Sequence, residues 1–132
     1  MIYGVGTDIV DIARIEAAVT RSHGERFVRK ILGGQEYEQY CLRNQQSFAK
    51  ALRYLATRFA AKEAFSKAIG TGVRLPMTLR NLQTLNEANG RPYLYMDGDL
   101  QAWMQQKNLS AHVSISDEAH YVIAFVIVES CQ

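Results

Sequence analysis

A chain of 132 residues with 48% hydrophobic and 21% charged residues has the size of one domain and an ordinary globular composition, which excludes a disordered or fibrous chain. Fifteen Lys and Arg against 13 Asp and Glu leave a formal net charge of +2, too small a basic excess for a nucleic-acid surface, so any charged partner site must be local. Cys41 and Cys131 lie far apart with no Cys-x-x-Cys spacing, which argues against a disulfide framework or zinc ribbon and for free thiols in a cytoplasmic protein.

The opening MIYGVGTDIVDIARIE carries charge from Asp8 onward and lacks a basic start followed by an apolar stretch, so no signal peptide is expected. No apolar run approaches the ~20 residues that a membrane span requires, and no membrane association is expected. Residues 2–6 read as a strand that turns at Gly6 and Thr7, leaving Asp8 just past its end. From Asp11, a ready N-cap, the spacing of Ile12, Ile15 and Val19 predicts a helix to about Thr20. Two short helices follow over 25–32 and 35–43, split by Gly33 and Gly34. The segment from Ser47 to Ile69 has no Gly or Pro, is rich in Ala and stops at Gly70, which predicts one long helix.

Beyond the turn Gly70-Thr71-Gly72, the segments 79–85 and 92–96 flank NEANG and read as a β-hairpin. A short helix over 97–108 and a half-buried strand over 111–116 come next. The last segment, 121–129, is apolar at both parities, so both faces of that strand should be covered, by helices or by another copy of the chain. No internal repeat or low-complexity tract interrupts a single domain over 1–132.

Glu63 falls beside the apolar stripe of the long helix, four residues after Phe59. A carboxylate there needs a cation, a hydrogen-bond network or a metal, and the plainest partner is Lys67 at i+4, in a pair worth about 0.3–0.5 kcal/mol. Asp8, near a strand end, is either a turn or cap residue or a metal ligand; with Glu63 it would suit Mg²⁺, which takes few carboxylates together with waters and phosphate oxygens. The Gly70 to Gly72 turn, after Lys62 and Lys67, could offer backbone amides to a phosphate, although a helix C-cap explains Gly70 without a ligand. Arg14 and Arg21 lie seven residues apart ahead of Arg26, Arg29 and Lys30, a local basic face that is either solvated or docks an acidic protein. His23, His112 and His120 show no metal-ligand spacing, and no nucleophile elbow is present.

Three segments in this order and spacing, Gly4-Val5-Gly6-Thr7-Asp8-Ile9-Val10, Arg58-Phe59-Ala60-Ala61-Lys62-Glu63-Ala64-Phe65-Ser66-Lys67-Ala68 and Gly70-Thr71-Gly72, resemble the signature of the bacterial holo-acyl-carrier-protein synthases. These are the small class of 4′-phosphopantetheinyl transferases. The likeness continues through NGRPYL at 89–94 and HVSISDEAHYVIA at 112–124.

The resemblance implies an α+β fold, with a bent antiparallel sheet packed against a long central helix, assembled as a homotrimer with active sites between subunits. It implies transfer of 4′-phosphopantetheine from coenzyme A to a serine of an acidic acyl carrier protein, in support of fatty acid biosynthesis. By the same resemblance Asp8 and Glu63 bind Mg²⁺ and, with Lys67, serve catalysis, while Lys62 and Ser66 belong with the residues around the cofactor's phosphates. Gly70, Thr71 and Gly72, with Asn89, Gly90, Arg91 and Pro92, match regions around the adenine and 3′-phosphate, and Arg14 and Arg21 match the helix that meets the carrier. The serine's proton acceptor stays open among water on the metal, Asp8 and Glu63. Where many relatives carry a histidine after the Ser-Ile-Ser strand, this chain has Asp117, which puts phosphate contacts there in question.

Overall fold

The computed structural model describes residues 1–131. Its elements run β1 (Ile2–Asp11), α1 (Ile12–Val19), α2 (Gly24–Ile31), α3 (Gly34–Gln46), α4 (Phe48–Ile69), β2 (Leu82–Asn86), β3 (Pro92–Met96), α5 (Gly98–Gln106), β4 (Leu109–Asp117) and β5 (Tyr121–Ser130). The sheet is antiparallel but resolves into two ladders, a three-stranded one in the order β1-β5-β4 and the β2-β3 hairpin.

β1 departs most from its expectation. It passes straight through Gly6 and Thr7, and Asp8 stands within the strand, opposite Ala124 of β5. The glycines have another use. A Cβ on Gly4 would lie 1.8 Å from the carbonyl oxygen of Ala68, and one on Gly6 1.9 Å from that of Ala64. β1 therefore needs glycine because α4 crosses it at backbone distance, not because the chain turns. That close crossing brings Asp8 beside the helix that carries Glu63.

α4 forms where its composition predicts. The Ser47 hydroxyl oxygen accepts from the Lys50 amide at 3.3 Å, and Gly70 closes the helix with a left-handed φ of 83°. Small residues let it lie close to the sheet: Ala60, Ala61 and Ala64 are fully buried, against the inward side chains Val122, Ala124, Val126 and Val128 of β5. The Asp11 carboxylate caps α1 by accepting from the Ala13 amide at 3.0 Å. The outer face of the three-stranded sheet is bare: Val5, Ile9, Tyr121, Ile123 and Phe125 are all exposed. Within one chain, β5 is covered on one face only.

Candidate active site

Asp8 from β1 and Glu63 from α4 line one cavity of about 700 Å³, together with Arg14, Arg21, Phe27 and Phe59. Burial, and then the negative charge of Asp8, raise the Glu63 carboxyl above its ordinary pKa, and Lys67 works in the opposite sense. The expected pair between Glu63 and Lys67 does not form. The Lys67 ammonium reaches across to β1 instead, donating to the Thr7 carbonyl at 2.9 Å and to Asp8 Oδ1 at 3.2 Å.

Two hard carboxylates facing one cavity, one of them disfavoured as an anion by the other, form a donor set that fits a dication such as Mg²⁺. Among the described residues no group of three or more His, Cys, Asp or Glu side chains gathers. Two carboxylates alone do not build an all-protein cage, so an ion held between them would need water and ligand oxygens to complete its shell. Arg21 lies past the end of α1, in the turn before α2, yet still shares the cavity with Arg14.

Lys62 and Ser66 need correction. Lys62 is fully buried, and its Nζ lies 2.7 Å from Glu36 Oε1 and donates to the Leu82 carbonyl. Glu36 also accepts from the backbone amides of Gly33 at 3.0 Å and Thr84 at 2.8 Å. Burial pulls the Lys62 ammonium below its usual pKa, and the Glu36 carboxylate offsets this. Lys62 thus clamps α4 to α3 and β2 and does not reach a phosphate. Ser66 is also buried, and its hydroxyl donates to the Glu63 carbonyl at 2.7 Å, which points it back along the helix.

The Gly70 amide donates to Lys67 and the Gly72 amide to Ser66, so these two amides are not free for a phosphate. The Thr71 hydroxyl donates to the Gly72 carbonyl at 2.8 Å. In the hairpin turn, Asn89 Oδ1 accepts from the Arg91 amide at 3.0 Å, and Gly90 adopts a φ of 90°. Pro92 opens β3.

A basic groove escaped the sequence reading. Arg43, Lys50, Arg53, Tyr54, Arg58 and Asp117 line a cavity of about 570 Å³. An adjoining cavity shares Arg43, Tyr54 and Arg58 and extends to Asn86, Gly90 and Tyr93. The buried Arg58 guanidinium is fixed by Thr84 O at 3.1 Å, Asn86 Oδ1 at 2.6 Å and Thr57 Oγ1 at 3.1 Å. It stacks over the Tyr54 ring at 4.2 Å, and Arg43 lies over the same ring at 4.3 Å. Among the described residues Arg43, Lys50 and Arg58 make no ion pair, whereas Arg53 Nη1 lies 3.1 Å from Asp117 Oδ2. The signal in the sequence is three cations, Lys50, Arg53 and Arg58, on the first half of α4, beside the apolar stripe of the same helix.

Residues 4–126 match the model of the 4′-phosphopantetheinyl transferase superfamily. A protein named holo-[acyl-carrier-protein] synthase from Herminiimonas arsenicoxydans is 57% identical over 129 residues, covering 98% of each chain. The crystal structure of the holo-[acyl-carrier-protein] synthase of Neisseria meningitidis superposes with a TM-score of 0.89 at 40% identity, over 98% of this chain and 100% of that one. The Bacillus anthracis synthase, solved in complex with CoA (3′,5′-ADP), gives a TM-score of 0.81 at 30% identity over 99% of both chains.

Proposed function

The chain belongs to the holo-acyl-carrier-protein synthases of the 4′-phosphopantetheinyl transferase superfamily, and from that premise we infer that it transfers the 4′-phosphopantetheine group of coenzyme A to a serine of apo-acyl carrier protein. The products are holo-acyl carrier protein and adenosine 3′,5′-bisphosphate. The observation that carries this reading is the meeting of Asp8 and Glu63 at one cavity, with Lys67 bonded to Asp8, in a chain 57% identical to a synthase of that name over 98% of its length.

In the reaction the carrier serine oxygen bonds to the β-phosphorus of coenzyme A, the bond from that phosphorus to the bridging oxygen breaks, and the serine gives up its proton. Asp8 and Glu63 are the residues that would hold Mg²⁺, which when bound neutralises charge developing on the pyrophosphate. Lys67, exposed and already turned toward Asp8, supplies a cation beside those phosphate oxygens. We assign the remaining phosphate of coenzyme A to the groove of Arg43, Lys50, Arg53 and Arg58, in which only Arg53 among the described residues meets a carboxylate, so the surplus of cations calls for an anion. Thr71 in its turn, and Asn89, Gly90, Arg91 and Pro92 of the hairpin turn, would wall the adenosine; Gly90 lines the cavity that adjoins the groove.

Arg14 and Arg21, on the rim of the carboxylate cavity, face the acidic carrier in this reading, since a basic rim steers an acidic partner toward the reacting groups. Among the described residues no helix is long and apolar enough to cross a membrane. We place the enzyme in the cytoplasm, working as a homotrimer in which copies cover one another's bare sheet faces.

The test is direct. Purified protein is incubated with apo-acyl carrier protein, coenzyme A and Mg²⁺, with an EDTA control, and the carrier is weighed by mass spectrometry. The expected result is a gain on the order of 340 Da, the mass of one phosphopantetheine, that disappears with EDTA. No gain from folded protein with several carriers would leave a coenzyme A-binding module without transferase activity.

A further inference from the structure

We propose that Asp117 is a built-in competitor for Arg53, holding its guanidinium back from a bound phosphate and so setting how readily phosphate ligands exchange in the basic groove. The inference rests on the reading above that this groove takes the phosphate monoester of coenzyme A.

The four cations of the groove differ in their freedom. Arg58 is buried and held by three acceptors, Arg43 lies on the Tyr54 ring with its Nη1 2.8 Å from Gln39 Oε1, and Lys50 Nζ meets Gln46 Oε1 at 3.3 Å. Among the described residues Arg53 alone of the four faces a carboxylate. Its Nη1 donates to both Asp117 Oδ2 and the Glu118 carbonyl, which leaves Nε and Nη2 without a partner among the described residues. Both side chains of the pair are 41% exposed, so water screens the bond, and an incoming dianion can draw Arg53 away.

Asp117 acts twice. It lowers the positive charge available before the ligand arrives, and it stays as a like charge at the edge of the groove afterwards. Coenzyme A and the product adenosine 3′,5′-bisphosphate carry the same monoester, so whatever weakens one weakens the other. A groove with four unopposed cations would hold the product tightly and slow turnover. Asp117 keeps the site exchangeable at some cost in substrate affinity.

Calorimetric titrations with adenosine 3′,5′-bisphosphate and with AMP, which lacks the 3′-phosphate, separate the outcomes. Asp117→Asn should tighten the bisphosphate by about threefold to tenfold, the range set by losing an exposed ion pair and one repulsion, and leave AMP unchanged. The gain should shrink at high salt and in an Arg53→Gln background. Product release, followed by stopped flow, should slow in Asp117→Asn by a similar factor. Unchanged or weaker bisphosphate binding in Asp117→Asn, with Lys50→Gln still weakening it, would overturn the competitor and keep the groove. If Lys50→Gln and Arg53→Gln both leave the preference for bisphosphate over AMP intact, the groove assignment itself fails and the competitor falls with it.

Discussion

Glu63 shows how a single residue comes to need a ligand. Its carboxyl is partly withdrawn from water and faces Asp8, and both effects raise its pKa, burial the more strongly. A carboxyl whose pKa is raised on folding binds its proton more tightly in the folded chain. Its contribution therefore favours the fold below the ordinary carboxyl range and is lost as the pH rises through the folded value. In metal-free protein, the melting temperature measured from mildly acidic to neutral pH should fall more steeply for the wild type than for Glu63→Gln, and added Mg²⁺ should remove the difference. The same variant should keep its fold and lose about 10²-fold or more of transfer activity in the carrier assay. Full activity in Glu63→Gln would remove it from the site. Glu63 is legible in the sequence as an acid that needs a partner, whereas Asp8 reads equally as a turn or cap residue or as a ligand. Lys62 was not legible as a core residue, because a lysine next to an acid on a helix looks the same in sequence whether it turns outward or inward.

At the scale of elements, the clamp from α4 to α3 and β2 depends on one buried ion pair. Lys62 and Glu36 are both fully buried, and Glu36 also receives the amides of Gly33 and Thr84. Removing one partner strands the other charge in the core. Lys62→Met should lower the unfolding free energy by about 3–5 kcal/mol in urea denaturation, while Lys62→Met with Glu36→Leu should recover part of that loss. A single variant within 1 kcal/mol of the wild type would mean that water reaches the pair. The elements themselves were readable where local rules dominate, as in the Asp11 cap, the break at Gly33 and Gly34, and the run from Ser47 to Gly70. β1 runs on past the turn expected at Gly6 and Thr7, because Gly4 and Gly6 serve the approach of a helix about sixty residues later in the chain.

For the whole molecule the sheet poses the main question. β5 is apolar on both sides, and one chain covers only the side bearing Val122, Ala124, Val126 and Val128. Val5, Ile9, Ile123 and Phe125 lie bare on the other, and such a face on an antiparallel sheet favours association. Light scattering coupled to size-exclusion chromatography should return three times the mass of a 14.9 kDa chain, and Phe125→Asp should shift it to monomer and lower transfer activity. A monomeric wild type with full activity would refute the shared-site assembly.

The order of elements, the caps and the long helix follow from the sequence alone, because each depends on neighbours within a turn or two of the chain. Which way Lys62 faces, why β1 carries glycine, and how Arg43 of α3 joins Lys50, Arg53 and Arg58 of α4 opposite Asp117 of β4 depend on contacts between segments far apart in sequence. Periodicity can mark a side chain as near an apolar stripe, but only packing decides whether its charge meets a buried partner, water or a ligand.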